Sequence, residues 1–479
     1  MGGDDRCASG GMEILLRRGL IEEYLDSGDV YYRFSHRRIR ELVYGRMTFL
    51  QRRPLHLQIA QLLTQNGPPR QSAACRRTSR HFKLAGDNLR ALEYRIRALE
   101  IESACSCEPF PPVVGNERPF ASPEALAQEA RQAAQELSAL QAENADVAQP
   151  LFRMLTLIRG RIALFCGNLK EGSTLLGTLS AAGSEEAAHA AMIRACYLLA
   201  SSALCLQAVN QAEHYTDTGI RLLARYQDPA MTAQFQRLRG DCFCLRGDYD
   251  KSSYYLLEAL EELEKRPAAS ENRLQLAAAN YDYGQLCRQR RDYAGACSHF
   301  KRALGPLGDE PWPGTLWLYV HYGLTAFAME DHFKAKELFR QGYALSDKTG
   351  ELWGRTAAAA FCAYYLAQDD DYETAAHCLA DAQACAQRLP SPLEGAILCF
   401  VSMQIRLRLD KSPAPFAALQ KLVPMSAESY ARQGIRKLSD IPDIFETELL
   451  STGLRDGIAA QQNLRAAELY SKNRHFMAE

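Results

Sequence analysis

Two stretches, GDYDKSSYYLLEAL from Gly247 to Leu260 and RDYAGACSHFKRAL from Arg291 to Leu304, share one pattern: a polar turn followed by an aromatic residue, then a small residue, then an apolar helix. The same pattern returns in the segments 330–343 and 370–382, without the aromatic residue in 167–176, and more weakly from Ala208. Self-similarity at a fixed period is the signature of a repeat architecture, in which each copy is one small supersecondary unit.

The turn residue of each copy recurs at a nearly constant interval. Along the chain these residues are Asn168, Ala208, Asp248, Asp292, Asp331 and Asp371, and they lie 40, 40, 44, 39 and 40 residues apart. Asp87 marks a further copy, 81 residues or two periods before Asn168. Helical sequence near 122–142 fills the missing position, and a fainter copy lies near 412–423. The spacing predicts about eight or nine units.

Each copy also carries a small residue eight positions before the turn and another four positions after it. The first set is Gly160, Ala200, Gly240, Gly284, Gly323 and Ala363, and the second is Gly172, Ala212, Ser252, Ala296, Ala335 and Ala375. A glycine inside a helix costs about 1 kcal/mol relative to alanine. Its recurrence therefore indicates two antiparallel helices that approach each other closely.

The spacing of small residue, turn aromatic and alanine resembles the tetratricopeptide repeat. The resemblance implies an all-α fold, a right-handed superhelical solenoid of about eight or nine helix pairs. The usual tetratricopeptide period is about 34 residues, whereas the period here is near 40, so we expect longer helices or loops. Packing like that of HEAT repeats, which run to about 40–47 residues, stays open as the alternative.

Residues 12–66 do not follow the repeat. They predict a helix over Met12–Arg18, a hairpin over Ile21–Phe34, a helix with Ser35 as its N-cap, and a further helix from Arg52 or Arg53, which together suggest a small winged-helix module. The predicted domains are then a disordered tail over 1–11, the winged-helix-like module over 12–66, the repeat solenoid over 67–424 and a C-terminal helical cap over 425–479.

This module resembles the winged-helix linker of STAND-class regulatory ATPases, in which a P-loop ATPase domain is followed by such a linker and then by tetratricopeptide-like repeats. The matching segments are LLRRGLIEE (Leu15–Glu23), YRFSHRRIRELVY (Tyr32–Tyr44), RRPLHLQIAQLL (Arg52–Leu63) and HFKLAGDNLRALEY (His81–Tyr94). The sequence has no Gly-x-x-x-x-Gly-Lys-Ser/Thr motif to bind phosphates. The resemblance therefore implies the C-terminal half of such a regulator, lacking the P-loop domain.

The start of the module's third element supplies candidate docking residues, namely His36, Arg37, Arg38 and Arg40. The resemblance implies that a histidine here reaches a nucleotide on an ATPase domain, while a structural histidine at a helix start is the alternative. Between residues 31 and 56, seven arginines face one acid. A basic surplus of this kind is typical of a DNA-binding surface. However, no helix with interleaved Asn or Gln to read bases accompanies it. The arginines are therefore better explained by a surface that faces solvent or another domain.

The first helices of stacked repeats line a concave groove, and arginine and aromatic side chains are frequent binding anchors. Projection of the repeat onto these helices gives the groove candidates Arg161, Arg194, Tyr197, Arg237, Asp241, Tyr281, Gln285, Arg288, Trp317, His321 and Tyr364. The alternative is that aromatic residues at helical spacing belong to the core between helices.

Several classes of function have no support in the sequence. No His-Glu-x-x-His, Gly-x-Ser-x-Gly or dinucleotide-binding glycine motif occurs, so we expect no catalytic residues and no cofactor. The 15 cysteines lack framework or zinc spacing, which indicates reduced thiols in the cytoplasm and no metal site. A net charge of −1 argues against DNA as a partner, and no uninterrupted apolar run predicts a membrane span.

The leading hypothesis is a cytoplasmic, non-catalytic regulatory or scaffolding protein that binds a protein or peptide in the groove. One alternative is the small-molecule sensor module of a split or truncated STAND-type transcriptional regulator, with a separate ATPase domain as partner. Another is a DNA-associated regulator that uses the basic winged helix. A deep pocket with polar and aromatic walls would favour a small ligand over a peptide.

Overall fold

The computed structural model describes residues 12–26, 29–111, 122–140, 145–180, 186–226, 228–266, 270–308, 310–411, 417–426 and 429. These residues fall into two compact units, 12–69 with 73–95, and 70–72 with the described residues from 96 onward. The described chain is predominantly helical, and its sheet structure is a two-stranded hairpin. The predicted all-α class is confirmed. The predicted boundary between residues 66 and 67 falls inside the first unit, and the predicted 1–11 tail and most of the 425–479 cap lie outside the described residues.

The first unit follows the predicted order of elements. It consists of α1 over residues 12–17, the antiparallel strands β1 (Ile21–Asp26) and β2 (Asp29–Phe34), then α2 (Arg37–Arg46), α3 (Phe49–Thr64), α4 (Ser72–Ala85) and the start of α5 (Asn88–Cys107). The hairpin register pairs Ile21 with Phe34. A small core of Ala60, Phe82, Ala91 and Tyr94 joins α3, α4 and α5.

Two local features of this unit differ from the prediction. The N-cap position of α2 is His36, which makes no side-chain cap bond, whereas the Ser35 hydroxyl donates to the Gly19 carbonyl at 2.5 Å. The Ser35 side chain therefore links the end of the hairpin to the α1–β1 turn by a hydrogen bond and does not cap α2. Helix α3 begins at Phe49, earlier than predicted, because Thr48 and Gln51 form a reciprocal capping box.

The second unit is a series of helices after α5. They are α6 (Pro123–Leu140), α7 (Ala145–Phe165), α8 (Leu169–Ser180), α9 (Glu186–Cys205), α10 (Val209–Leu223), α11 (Pro229–Arg246), α12 (Tyr249–Glu264), α13 (Ser270–Gln289), α14 (Tyr293–Leu304), α15 (Thr315–Ala328), α16 (His332–Thr349), α17 (Arg355–Gln368), α18 (Tyr372–Arg388), α19 (Pro392–Lys411) and α20 (Ala417–Leu422). From α7 to α18, each odd-numbered helix packs most extensively on the even-numbered helix that follows it, and each pair packs on the next. The predicted tetratricopeptide-like helix pairs are confirmed.

The repeated aspartates begin the second helix of their pairs. Asp248, Asp292, Asp331 and Asp371 are the N-caps of α12, α14, α16 and α18, and each carboxylate accepts a hydrogen bond from the backbone N–H three residues later. An N-cap oxygen satisfies one of the helix's free N–H groups, worth about 1 kcal/mol. The spacing of these residues in the sequence is therefore the spacing of helix starts.

The repeated glycines lie beneath a large residue sixteen positions later. A Cβ added to Gly240 would lie 2.6 Å from Cγ of Leu256, and one added to Gly323 would lie 2.9 Å from the Phe339 ring. Side chains in folded proteins do not approach that closely, since interiors are already packed to crystal-like density. These glycines let a leucine or phenylalanine of the second helix rest on the backbone of the first.

The end of α7 and the turn that follows it also contact residues of helix pairs much later in the sequence. The Trp353 indole N–H donates to the Leu164 carbonyl at 3.0 Å in the buried interior. A Cβ on Gly167, whose φ is +79°, would lie 3.2 Å from Leu352 and 3.8 Å from Leu389. The turn between α7 and α8 thus packs against the segments that precede α17 and follow α18.

Two buried carboxylates cap first helices from the following repeat. The Gly314 N–H at the start of α15 donates to Glu351 at 3.1 Å, and the Gly354 and Ala357 N–H groups at the start of α17 donate to Glu394 at 3.1 and 3.2 Å. Burial raises the pKa of Glu351 to about 8 and that of Glu394 to about 7, although the backbone donors oppose this rise.

Among the described residues, one segment, Ala188–Cys205 of α9, is long and apolar enough to cross a membrane. It lies between α8 and α10, and 67% of it is buried within the protein. Its hydropathy is that of a helix at the centre of a packed repeat unit.

Candidate functional site

The first helices of four consecutive pairs, α9, α11, α13 and α15, surround a cavity of about 180 Å³ in the second unit. Eight of the predicted groove residues line it, namely Tyr197, Arg237, Asp241, Tyr281, Gln285, Arg288, Trp317 and His321. They come together because one face of each first helix is turned toward the same interior space.

The segment that follows α5 forms one wall of this cavity. The Phe110 N–H donates to the Pro313 carbonyl at 2.9 Å, and the Gln275 amide donates to the Phe110 carbonyl at 2.6 Å. The Phe110 ring is buried and lies 5.8 Å from that of Tyr281. Nothing in the local sequence indicates that residues 108–111 cross the inner face of α13.

Arg237 on α11 is paired within the cavity wall. Its Nε donates to Asp282 at 2.6 Å and its Nη1 lies 3.4 Å from the Gln275 oxygen. Burial raises the pKa of Asp241 well above its usual range, and the nearby Asp282 charge adds to the rise while Arg237 opposes it. Of the two acids, Asp282 is the one bonded to arginine, so Asp241 is the one that keeps its proton more readily.

Arg288 on α13 has no such carboxylate. It is 4% exposed, its Nε donates to the Gln285 oxygen at 2.9 Å, and it forms no ion pair with the described residues. Burial lowers its pKa, but a guanidinium stays protonated in proteins. The cavity wall therefore contains a buried cation with a neutral hydrogen-bond partner.

His321 on α15 is held in one tautomer. Because the Gln285 oxygen accepts from Arg288, its amide nitrogen faces Nδ1 of His321, which must then accept, as it also does from the Tyr281 hydroxyl at 2.9 Å. The proton lies on Nε2, and this buried atom has no hydrogen-bond partner among the described residues. Burial, and then the charge of Arg288, lower the pKa of His321 well below its usual value, so the ring is neutral.

Trp317, one turn earlier on α15, stacks on His321 with ring centroids 4.9 Å apart. Its indole Nε1 is also buried without a hydrogen-bond partner. Buried polar atoms are normally hydrogen-bonded. Two such donors lie on adjacent stacked rings, and both rings belong to residues that line the cavity.

The other three groove candidates do not line the cavity. Arg161 is 1% exposed and pairs with Glu100 at 2.9 Å and Glu108 at 3.2 Å, while Arg194 pairs with Glu108 at 2.9 Å. Tyr364 packs edge-on against Phe361 and Phe327 within the aromatic core. Glu108 is thus a central residue of the inner face that sequence reasoning missed.

The docking candidates of the first unit lie on its surface. His36, Arg37, Arg38 and Arg40 are all exposed, and Arg37 pairs with Glu41 at 2.6 Å. Most of the exposed large apolar side chains of the described residues also belong to this unit, within residues 14–62. Leu25 and Leu50, for example, are 75% and 77% exposed.

The first unit also contains a histidine pair that the sequence did not reveal. His56 on α3 contacts His81 on α4 with 3.0 Å between their Nδ1 atoms, and the Tyr44 hydroxyl lies 2.7 Å from Nε2 of His56. Burial lowers the pKa of both histidines, and neighbouring arginines lower it further. Neutral rings suit this contact, since two cations would repel each other at that distance.

Thiols and metal ligands add no further chemistry to the described residues. The cysteines among the described residues are free, and no group of three or more His, Cys, Asp or Glu side chains in this part of the chain could hold a metal ion. Cys205 and Cys244 line the cavity, and burial raises the pKa of each to about 12. Such thiols are poor nucleophiles at neutral pH.

No family model matches this sequence, and no curated protein matches it either. Among solved structures, a Rap protein complexed with competence and sporulation factor is similar, with a TM-score of 0.48 and 14% identity over 74% of this chain and 97% of that chain. A STAND protein with a tetratricopeptide repeat sensor from Pyrococcus horikoshii has a TM-score of 0.45 and 15% identity over 92% of this chain, which spans 59% of the length of that protein. Aspartyl phosphate phosphatase F from Bacillus subtilis has a TM-score of 0.39 and 13% identity, covering 72% of this chain and 91% of that one. These likenesses are distant, and the repeat fold rests on the helix pairs described above.

Proposed function

We propose that this chain is a non-catalytic regulatory protein whose second unit binds a compact ligand in the cavity between α9, α11, α13 and α15. The observation that carries this proposal is a cavity wall that combines the Arg288 guanidinium, which has a neutral hydrogen-bond partner and no carboxylate partner among the described residues, with the N–H groups of Trp317 and His321, which have no hydrogen-bond partner there. A buried donor left without an acceptor costs about 1–3 kcal/mol. A ligand that supplied acceptors would recover that cost.

The size of the cavity supports a small ligand over an extended peptide. Its volume of about 180 Å³ slightly exceeds that of an engineered cavity of about 150 Å³ that binds benzene. The chain's own segment 108–111 already crosses the inner face where an extended peptide would lie. A protein or peptide ligand would therefore enter with one side chain or one terminus, whereas a single-ring molecule would fill the space.

The test is a cavity-filling substitution. Ser201 lines the cavity from α9 and takes no part in the polar wall, so Ser201→Phe should block the ligand's space. Native mass spectrometry and thermal shift against a metabolite panel would identify ligands of the unaltered protein, and calorimetry would give their affinities. We expect Ser201→Phe to abolish this binding.

The matched control is Ser138→Phe, since Ser138 is exposed on α6, outside the cavity. It should bind each ligand with unchanged affinity and show the same circular dichroism spectrum as the parent protein. A panel in which no compound binds saturably, or a ligand that Ser201→Phe binds as well as Ser138→Phe does, would contradict the proposal.

A second candidate function concerns the first unit, where the resemblance to STAND linkers suggests docking to a separate P-loop ATPase domain. The observation in its favour is the exposed apolar surface within residues 14–62. Co-elution of the protein with a STAND ATPase domain in size-exclusion chromatography would test it, with Leu25→Glu and Leu50→Glu expected to abolish the complex. Phe333→Glu, at an 88% exposed site of the second unit, should leave it intact, and equal effects of the three substitutions would count against this docking surface.

A further inference from the structure

The arginines inside the second unit differ in whether a carboxylate is bonded to them. Arg161 and Arg194 are paired with Glu108, and Arg237 is paired with Asp282. Arg288, which is 4% exposed, bonds to the neutral Gln285 and to no carboxylate of the described residues. An isolated buried charge is strongly unfavourable unless something compensates it.

The other ionisable groups that face the cavity do not supply this compensation. Tyr197 on α9 and His321 on α15 are neutral, and Asp282 on α13 is already bonded to Arg237. Burial and the Asp282 charge raise the pKa of Asp241 on α11, which favours the uncharged form of that acid. On the cavity wall, Arg237 is thus paired with a carboxylate, whereas Arg288 is paired with none among the described residues.

From this imbalance, and resting on the proposed function, we propose that the ligand is a small carboxylic acid, bound as its monoanion, with the carboxylate on Arg288 and a planar or apolar body between the rings of Phe110, Tyr281 and Trp317. A guanidinium presents paired N–H groups whose geometry matches a carboxylate. His321 and Trp317, which line the same cavity, each have one N–H group without an acceptor among the described residues.

A carboxylate suits the charge of the cavity better than a phosphate does. One uncompensated positive charge is neutralised by a monoanion, whereas a phosphate monoester carries about −1.5 to −2 charges at neutral pH. The excess negative charge would be buried beside Asp241 and Asp282. The aromatic walls meanwhile provide an apolar surface for the remainder of the molecule.

The experiment uses the whole protein and three matched probes, phenylacetate, phenylacetamide and phenyl phosphate, titrated by ligand-observed NMR at constant ionic strength. We expect phenylacetate to bind saturably and at least tenfold more tightly than the isosteric amide. Arg288→Gln should remove that difference. The control Arg290→Gln, which alters an arginine paired with the exposed Asp250, should preserve it.

A pH series adds a measurement that a merely structural role for these residues would not change. Loss of the Asp241 proton adds a negative charge to the cavity, so phenylacetate affinity should fall as the pH rises through the pKa of Asp241. Asp241→Asn should abolish this fall. Persistence of the same pH dependence in Asp241→Asn would overturn the assignment of the cavity's charge.

The outcomes separate this inference from the proposed function. Equal binding of acid and amide, with both blocked by Ser201→Phe, overturns the carboxylate assignment while the cavity remains a binding site. Tighter binding of phenyl phosphate overturns it in favour of a phosphate. No binding of any of the three probes overturns the carboxylate assignment, and the metabolite panel with Ser201→Phe then decides the proposed function separately.

Discussion

Arg161 and Arg288 occupy similar positions near the ends of first helices, on α7 and α13, and are 1% and 4% exposed. Arg161 is bonded to Glu100 and lies 3.2 Å from Glu108, whereas Arg288 is bonded only to Gln285. At one end of the inner face the chain provides its own anion, through the segment after α5. At the cavity the described chain provides no anion for Arg288. Of the two arginines, Arg288 is therefore the one available to a ligand.

The largest effect should come from removing the anion that the chain provides. Glu108→Gln leaves Arg194 without its carboxylate and Arg161 with only Glu100, and breaking a buried ion pair on one side costs about 3–5 kcal/mol. Urea unfolding followed by circular dichroism would measure the loss in the free energy of unfolding. Glu171→Gln, at an exposed pair with Arg159, should cost under about 1 kcal/mol, and equal losses would show that the Glu108 pairs are not the source of stability.

An intermediate effect of opposite sign is expected at the cavity. Arg288→Leu removes a buried charge that has no ion-pair partner among the described residues, so the ligand-free protein should gain about 1–2 kcal/mol in the free energy of unfolding. Arg161→Leu, by contrast, should lose about 3–5 kcal/mol because it leaves Glu100 and Glu108 unpaired. Urea unfolding would measure both changes. A loss of stability in Arg288→Leu would mean that the charge of Arg288 is compensated in the folded protein.

The smallest effect, taken per pH unit, concerns the pH dependence of stability, because Glu100 and Glu351 have different partners. Burial raises the pKa of Glu100, but Arg161 and Arg194 outweigh this and the net pKa is lowered. The pKa of Glu351, which accepts from the backbone, is raised from 4.5 to about 8. Its stabilising contribution is therefore complete below the unfolded pKa and is lost as the pH rises toward about 8, at up to about 1.4 kcal/mol per pH unit.

Glu351→Gln keeps an oxygen acceptor for Gly314 and cannot ionise, so it should remove the part of the decline that comes from Glu351 and leave the part that comes from Glu394, whose pKa is raised to about 7. Unfolding free energies measured across the neutral range, from mildly acidic to mildly alkaline buffer, would check it. The exposed Glu373→Gln should keep the slope of the parent protein. A parallel slope in all three proteins would place the titrating group elsewhere.

The repeat and most of the cavity wall could be predicted because their signals are local. Asp248 and Asp331 cap helices within four residues of their own position, and Gly240 meets a residue sixteen positions away in the same pair. The cavity residues lie on one face of successive first helices, so helical periodicity alone predicted which residues would lie together. The ion-pair partners of the arginines, by contrast, lie far from them in the sequence.

Arg194 bonds to a carboxylate 86 residues earlier, and neither spacing nor composition predicts that contact. Phe110 likewise reaches Gln275 across 165 residues. Tyr364 has the same sequence signal as the cavity aromatics, but it faces Phe327 and Phe361 because the core, and not the cavity, lies beside that part of α17. Tertiary contacts of this kind decide which candidate on a helix face is accessible.

The hydrogen bond from Trp353 to Leu164, together with the packing of Gly167 on Leu352 and Leu389, links repeats that are not neighbours. In an open array each repeat is stabilised by adjacent repeats only, and the ends can fray independently. Here a repeat near the start cannot melt without exposing one near the end. Denaturation of the second unit should accordingly be a single cooperative transition, with amide hydrogens of α7 and α17 exchanging together.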